Sequence, residues 1–94
     1  MVIVSGTISV RPGQREAFVS ASLPAVAAAR RAPGCLDFVV AADPIEPDRV
    51  NVYERWESED QLEAFRGDGP GNELTSDIVK ADVSRHHVSS SGPA

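Results

Sequence analysis

The chain has 94 residues, 41% of them hydrophobic, and carries a formal charge of −5 from nine Lys and Arg against fourteen Asp and Glu. That length suits one compact domain, and an acidic surface whose largest basic cluster is Arg30-Arg31 repels nucleic acid rather than attracting it. No apolar run approaches the roughly 20 residues of a membrane helix, and the opening MVIVSGTISVRPG has neither a basic n-region nor a long apolar h-region, so neither a membrane anchor nor a secretory leader is expected.

Residues 2–10, VIVSGTISV, place Val2, Val4, Ile8 and Val10 on one side and Ser5, Thr7 and Ser9 on the other, which is the period-2 signature of a half-buried strand. Arg11, Pro12 and Gly13 end it. Phe18, Ala21, Ala25, Ala28 and Ala29 then recur at spacings of three and four, which predicts a helix over about 13–31 with one apolar stripe. Pro24 lies inside that helix, where it removes the hydrogen bond to the Ser20 carbonyl and predicts a kink or an early break.

Ala32-Pro33-Gly34 stops the helix, and CLDFVVAA at 35–42 reads as a strand with Leu36, Phe38, Val40 and Ala42 facing one way. A turn from Asp43-Pro44 to Pro47-Asp48 leads to a third strand at 49–56. Ser58 with Gln61 three residues on forms a capping box for a helix over 59–66, anchored by Leu62 and Phe65. The run GDGPG at 67–71 breaks it. A short helical piece is expected around 72–79, a last strand at 80–88, and a frayed tail at 89–94.

Strand, helix, strand, strand, helix, strand is the doubled βαβ order of an α+β, ferredoxin-like βαββαβ domain over 1–88. Four antiparallel strands with both helices on one face leave the other face bare, carrying Cys35, Asp37, Val39, Arg49, Asn51, Tyr53 and Arg55. A folded monomer of this size buries only about 60–65% of its unfolded surface, so a homodimer formed through that bare face is expected. The lone Cys35 cannot form an internal disulfide, which fits the cytoplasm.

Alternation sends Val50, Val52, Glu54 and Trp56 toward the helices and Asn51, Tyr53 and Arg55 away. Glu54 is the odd member of its row. Desolvation among Val, Phe, Leu and Trp would raise its pKa and suit it to proton exchange near neutral pH; the alternative is a carboxylate paired with an Arg or capped by backbone donors. Trp56 reads either as core or as a stacking surface for a planar ligand. His86 and His87 are neighbours on a strand and point to opposite faces, so they cannot readily share a metal; at most one lines a given cavity, and His86 is the candidate. GDGPG follows a helix and precedes no Lys-Ser or Lys-Thr, so it is a loop rather than a phosphate cradle. Cys35 has no CxxC neighbour and reads as a small apolar residue. Glu57, Glu59, Asp60 and Glu63 form the acidic start of the second helix, which its dipole favours.

APGCLDF, the DP-containing turn and VNVYERWESEDQLEAF together resemble the antibiotic biosynthesis monooxygenase family over most of the chain. The resemblance implies a ferredoxin-like domain that dimerises through its sheet into a shared barrel, with a cavity between sheet and helices in each subunit. It also implies a range of activities: oxidation of phenols or quinols by molecular oxygen without metal or flavin, haem degradation, processing of small signalling molecules, or none known. The family tryptophan is Trp56. The asparagine that cofactorless members carry four positions earlier is Val52 here, and the tyrosine six positions later is Leu62. Histidines expected at Phe65, near Pro70 and, in the haem-degrading branch, about Thr75 are absent. The implied function is a monooxygenase without metal or cofactor, acting on a small aromatic phenol or quinol. Its cavity would be lined by Phe18, Phe38, Val52, Leu62 and Phe65, with Glu54, Trp56 and His86 as the catalytic candidates. The alternative is a non-catalytic dimeric module that binds a small apolar or aromatic ligand.

Overall fold

A computed structural model describes residues 1–67 and 76–94. Its elements are β1 (Val2–Val10), α1 (Arg15–Arg30), β2 (Cys35–Ala42), β3 (Arg49–Trp56), α2 (Glu59–Gly67) and β4 (Ile78–His87). The strands form one antiparallel sheet in the order β2-β3-β1-β4. The expected loop after residue 67 and most of the expected helical piece at 72–79 fall outside the described residues.

The sheet places its rows by parity. Val2, Val4 and Ile8 of β1 pair with Trp56, Glu54 and Val50 of β3 on one side and with His87, Arg85 and Ala81 of β4 on the other. This row faces the helices. Val2, Val4, Phe38 and Trp56 pack there with Val26 and Ala29 of α1 and Leu62 of α2, while Val10, Phe18 and Val50 form a second cluster nearby. Both helices therefore cover the same face, as the sequence order requires.

Three details differ from the periodic reading. α1 runs through Pro24 to Arg30 without an early break. Pro24 and Ser20 are both exposed, so water can satisfy the carbonyl that the proline leaves without a partner. The buried stripe of α1 is Phe18, Ser22, Val26 and Ala29, whereas Ala21 and Ala28 lie outside. Ser22 tolerates burial because its hydroxyl donates to the Val19 carbonyl at 2.6 Å.

The third difference is a bulge at the start of β2. Cys35 pairs with Trp56 and Asp37 with Arg55, so Leu36 is an extra residue and the alternation slips by one. Leu36 turns to solvent, and Cys35 packs against the core rather than joining the bare face. Burial is the main reason that its thiol pKa is raised, which leaves it less reactive than a free cysteine.

Arg15 ties the start of α1 to the β2–β3 turn, donating to the carbonyls of Asp43 at 2.9 Å and Glu46 at 2.7 Å. Gly34 ends the α1–β2 connection with φ of +83°, a left-handed conformation that suits glycine. Its carbonyl accepts the Glu57 N–H at 2.8 Å, which fixes the connection to the end of β3 just ahead of α2. Residues 89–94 are exposed and lie outside any regular element.

Candidate functional site

Glu54 is 7% exposed and Trp56 is fully buried, both on the helix side of β3. Residues two apart on a strand share a face, and here the indole Nε1–H donates to Glu54 Oε1 at 3.1 Å. The other carboxylate oxygen lies 4.0 Å from the guanidinium of Arg66 on the last turn of α2. Burial pushes the Glu54 pKa up; the Trp56 hydrogen bond and the positive charges of Arg66 and Arg85 only partly oppose this. Both sequence readings of this residue thus describe one arrangement, a desolvated carboxylate that also has an indole donor and a nearby cation.

An aromatic group encloses the pair. Phe65 of α2 packs 5.5 Å from Trp56 at a tilt of 34° and meets Phe38 of β2 edge-on at 6.0 Å. Leu62, fully buried one turn earlier, closes the same side. Phe38, Leu62, Phe65, Glu54 and Trp56 are therefore brought together. Val52 lies two residues before Glu54 in the same row, half-buried beside Gly6 of β1.

Phe18 and His86 do not join them. Phe18 belongs to the second cluster with Val10 and Val50, because it lies near the start of α1 and packs at the far end of β1. His86 pairs with Ile3, and Ile3 pairs with Arg55, so it lies on the bare face and cannot share a cavity with Glu54. The histidine on the helix side is His87, whose ring nitrogen contacts Glu59 of α2. That contact is the main cause of the lowered Glu59 pKa.

The periodic reading missed Arg66 and Arg85. Arg66 follows the inward-facing Leu62 by four positions, which puts it on the same side of α2, so that spacing could have identified it. Arg85 shares Val4 with Glu54 across two ladders and is found only once the register is known. It bridges Glu59 and Glu63, and with His87 it ties the outer side of α2 to β4.

Among the described residues, surface cavities of about 300, 380 and 310 Å³ are lined by residues of α1, β2, the α1–β2 connection and α2, and Glu54 lines none of these. Among the described residues no three His, Cys, Asp or Glu side chains gather as a metal site would require. Nor does any helix among them have the length and apolarity to cross a membrane. What the site offers chemically is one desolvated carboxylate with a raised pKa, a fixed indole donor, an adjacent guanidinium and a wall of aromatic rings.

The sequence profile of the antibiotic biosynthesis monooxygenases matches residues 1–69. No curated protein matches the sequence. Among solved structures, an inferred antibiotic biosynthesis monooxygenase from Nitrosomonas europaea superposes with a TM-score of 0.80 at 16% identity, covering 96% of this chain and all of that one. Another from Chloroflexus aurantiacus gives 0.71 at 27% identity, with 97% and 96% coverage. A Mycobacterium tuberculosis protein gives 0.76 at 15% identity and covers 98% of each chain.

Proposed function

This chain belongs to the antibiotic biosynthesis monooxygenase family, and from that premise we propose that it oxidises a small aromatic phenol or quinol with molecular oxygen, using neither metal nor flavin. The observation that carries the reading is the buried Glu54, with its raised pKa, held by the Trp56 indole within the ring cluster of Phe38 and Phe65. A carboxylate of that kind is a stronger base than one in water and can take the phenolic proton. The resulting anion then reduces oxygen. For an anthrone, the ring CH₂ becomes C=O: one oxygen atom enters the product, and the other leaves as water with the two displaced hydrogens. Arg66, half-exposed beside Glu54, is the group best placed to pair with the substrate anion.

Oxygen uptake with an anthrone substrate, measured after metal chelation, tests this. Glu54→Gln keeps the shape and the indole contact but cannot accept the proton, so turnover is expected to fall by about 10²- to 10⁴-fold. Unchanged turnover in that variant would remove Glu54 from the reaction.

One observation favours a second reading, a binding module without turnover. Trp56 and Leu62 have no exposed surface, and Leu62 stands where cofactorless relatives place a tyrosine. Under this reading an aromatic ligand raises the melting temperature while oxygen uptake stays at the background rate.

For either reading we propose a homodimer joined through the bare sheet face, in the cytoplasm, with 1–88 as the single domain. The Nε of Arg55 on that face is buried with no acceptor among the described residues, a deficit that a carbonyl or carboxylate from a second copy would remove. Light scattering that gives a monomer mass at micromolar concentration would refute the dimer.

A further inference from the structure

The cavity of about 310 Å³ between the α1–β2 connection and α2 lies outside the Glu54 site and shares one wall with it. Among the described residues its lining is Ala32, Pro33, Gln61, Ala64 and Phe65, without a charged side chain. The volume lies at the small end of the range for organic ligands, and such sites combine apolar walls with a few fixed polar groups. Here the polar group is the Gln61 amide.

Gln61 is held from two sides. The Ser58 hydroxyl donates to its Oε1 at 3.0 Å and accepts its backbone N–H at 3.2 Å, so the capping box closes through the side-chain carbonyl. Behind it lies Gly34, where a Cβ would come within 2.2 Å of the amide carbon and oxygen. Ser58 thus occupies the acceptor end of the amide, and what Gln61 can offer a ligand is the donor end, Nε2. Phe65 supplies an aromatic wall that is itself braced by Trp56 and Phe38.

We propose that this cavity is a binding site for a small, planar, uncharged aromatic ketone, its ring against Phe65 and Pro33 and its carbonyl oxygen accepting from Gln61 Nε2. An uncharged apolar lining disfavours ions, and a lone donor selects an acceptor over a hydroxyl donor. The site requires no turnover at Glu54, so it stands or falls separately from the oxidation reading.

The test is an amide NMR titration of the full chain with 1-indanone, using indane, which lacks the carbonyl, as the control. Saturable shifts are expected at Ala32, Gln61 and Ala64, with indane about three- to tenfold weaker, the worth of one neutral hydrogen bond. Gln61→Ala should bring 1-indanone down to the level of indane. Ala64→Trp, at an exposed position that tolerates the larger side chain, should fill the cavity and abolish the shifts while the spectrum of the sheet is kept. The proposal is overturned by shifts centred instead on Val52 and Glu54, by no saturation, by equal binding of indane, or by binding that survives Ala64→Trp.

Discussion

Trp56→Phe separates the two tasks assigned to the indole, filling the core and holding a charge. The substitution leaves an aromatic ring against Phe65 but removes the Nε1–H that Glu54 Oε1 accepts at 3.1 Å. Part of the cost is packing, a fraction of the ~3–5 kcal/mol of full truncation at a buried tryptophan. The remainder depends on protonation, because a hydrogen bond to a charged group is worth about 1.5–3 kcal/mol and this donor favours the ionised carboxylate. Burial already raises the Glu54 pKa above its ordinary 4.5, so its contribution to stability is fully present below about that value and is lost as pH rises through the folded pKa. Losing the indole raises the folded pKa further and enlarges that loss. Guanidinium unfolding of both proteins should therefore show a deficit larger at pH 8 than at pH 4 by roughly 1–3 kcal/mol. In an active protein the acid limb of the oxygen-uptake profile should move to higher pH as well. A deficit of equal size at the two pH values would show that the indole does not stabilise charge on Glu54.

Three further expectations follow from the packing. Leu62→Ala should cost about 2–5 kcal/mol of local stability, and because Leu62 is the only fully buried side chain described in α2, hydrogen exchange should show α2 amides losing protection before those of β1 and β3. Gly34→Ala should destabilise by about 1–2 kcal/mol from the left-handed backbone alone, and by about 1 more through displacement of the Gln61 cap, as read from urea midpoints. The Asp43 carboxylate is held down to a pKa of about 2 by the Glu46 N–H, the Asn51 amide and the Ile45 N–H, in that order. Its stabilisation is present above the ordinary value of 3.8 and is lost as pH falls toward about 2, so the gap in melting temperature between wild type and Asp43→Ala should close across that interval. A gap that persists at pH 2 would argue against those hydrogen bonds.

Element order and most boundaries were legible because each strand carries period-2 alternation and each helix has its own punctuation. β1, β2 and β3 begin and end where that pattern places them. The orientations of Cys35 and Leu36 were not legible. A bulge is decided by how two strands pair, and nothing local in CLDF distinguishes a strand that slips by one residue from one that does not. The same limit explains the histidines. Their opposite orientations follow from adjacency, but which one shares a face with Glu54 depends on the β1–β4 register, which places His87 with Val2 and His86 with Ile3. Phe18 was grouped with the wrong cluster for a related reason, since hydrophobicity shows that a residue is inside without showing at which end.

The position of α2 links these observations. On its inner side it contributes Leu62 and Phe65 to the wall around Trp56, and its last turn carries the cation nearest Glu54. On its outer side Glu59 and Glu63 hold Arg85 and His87 through exposed contacts, a type that salt screens and that contributes little to stability. Among the described residues this wall is attached mainly by one leucine and one half-buried phenylalanine, so opening it costs less than unfolding the sheet. Glu54 itself belongs to β3, a strand with neighbours on both sides. The carboxylate is therefore fixed by the most stable part of the fold, while its desolvation, and hence its raised pKa, depends on the less firmly held part. On the oxidation reading proposed above, a substrate would enter by displacing α2 while Glu54 keeps its place in β3, and the basicity of Glu54 would belong to the arrangement in which α2 covers it.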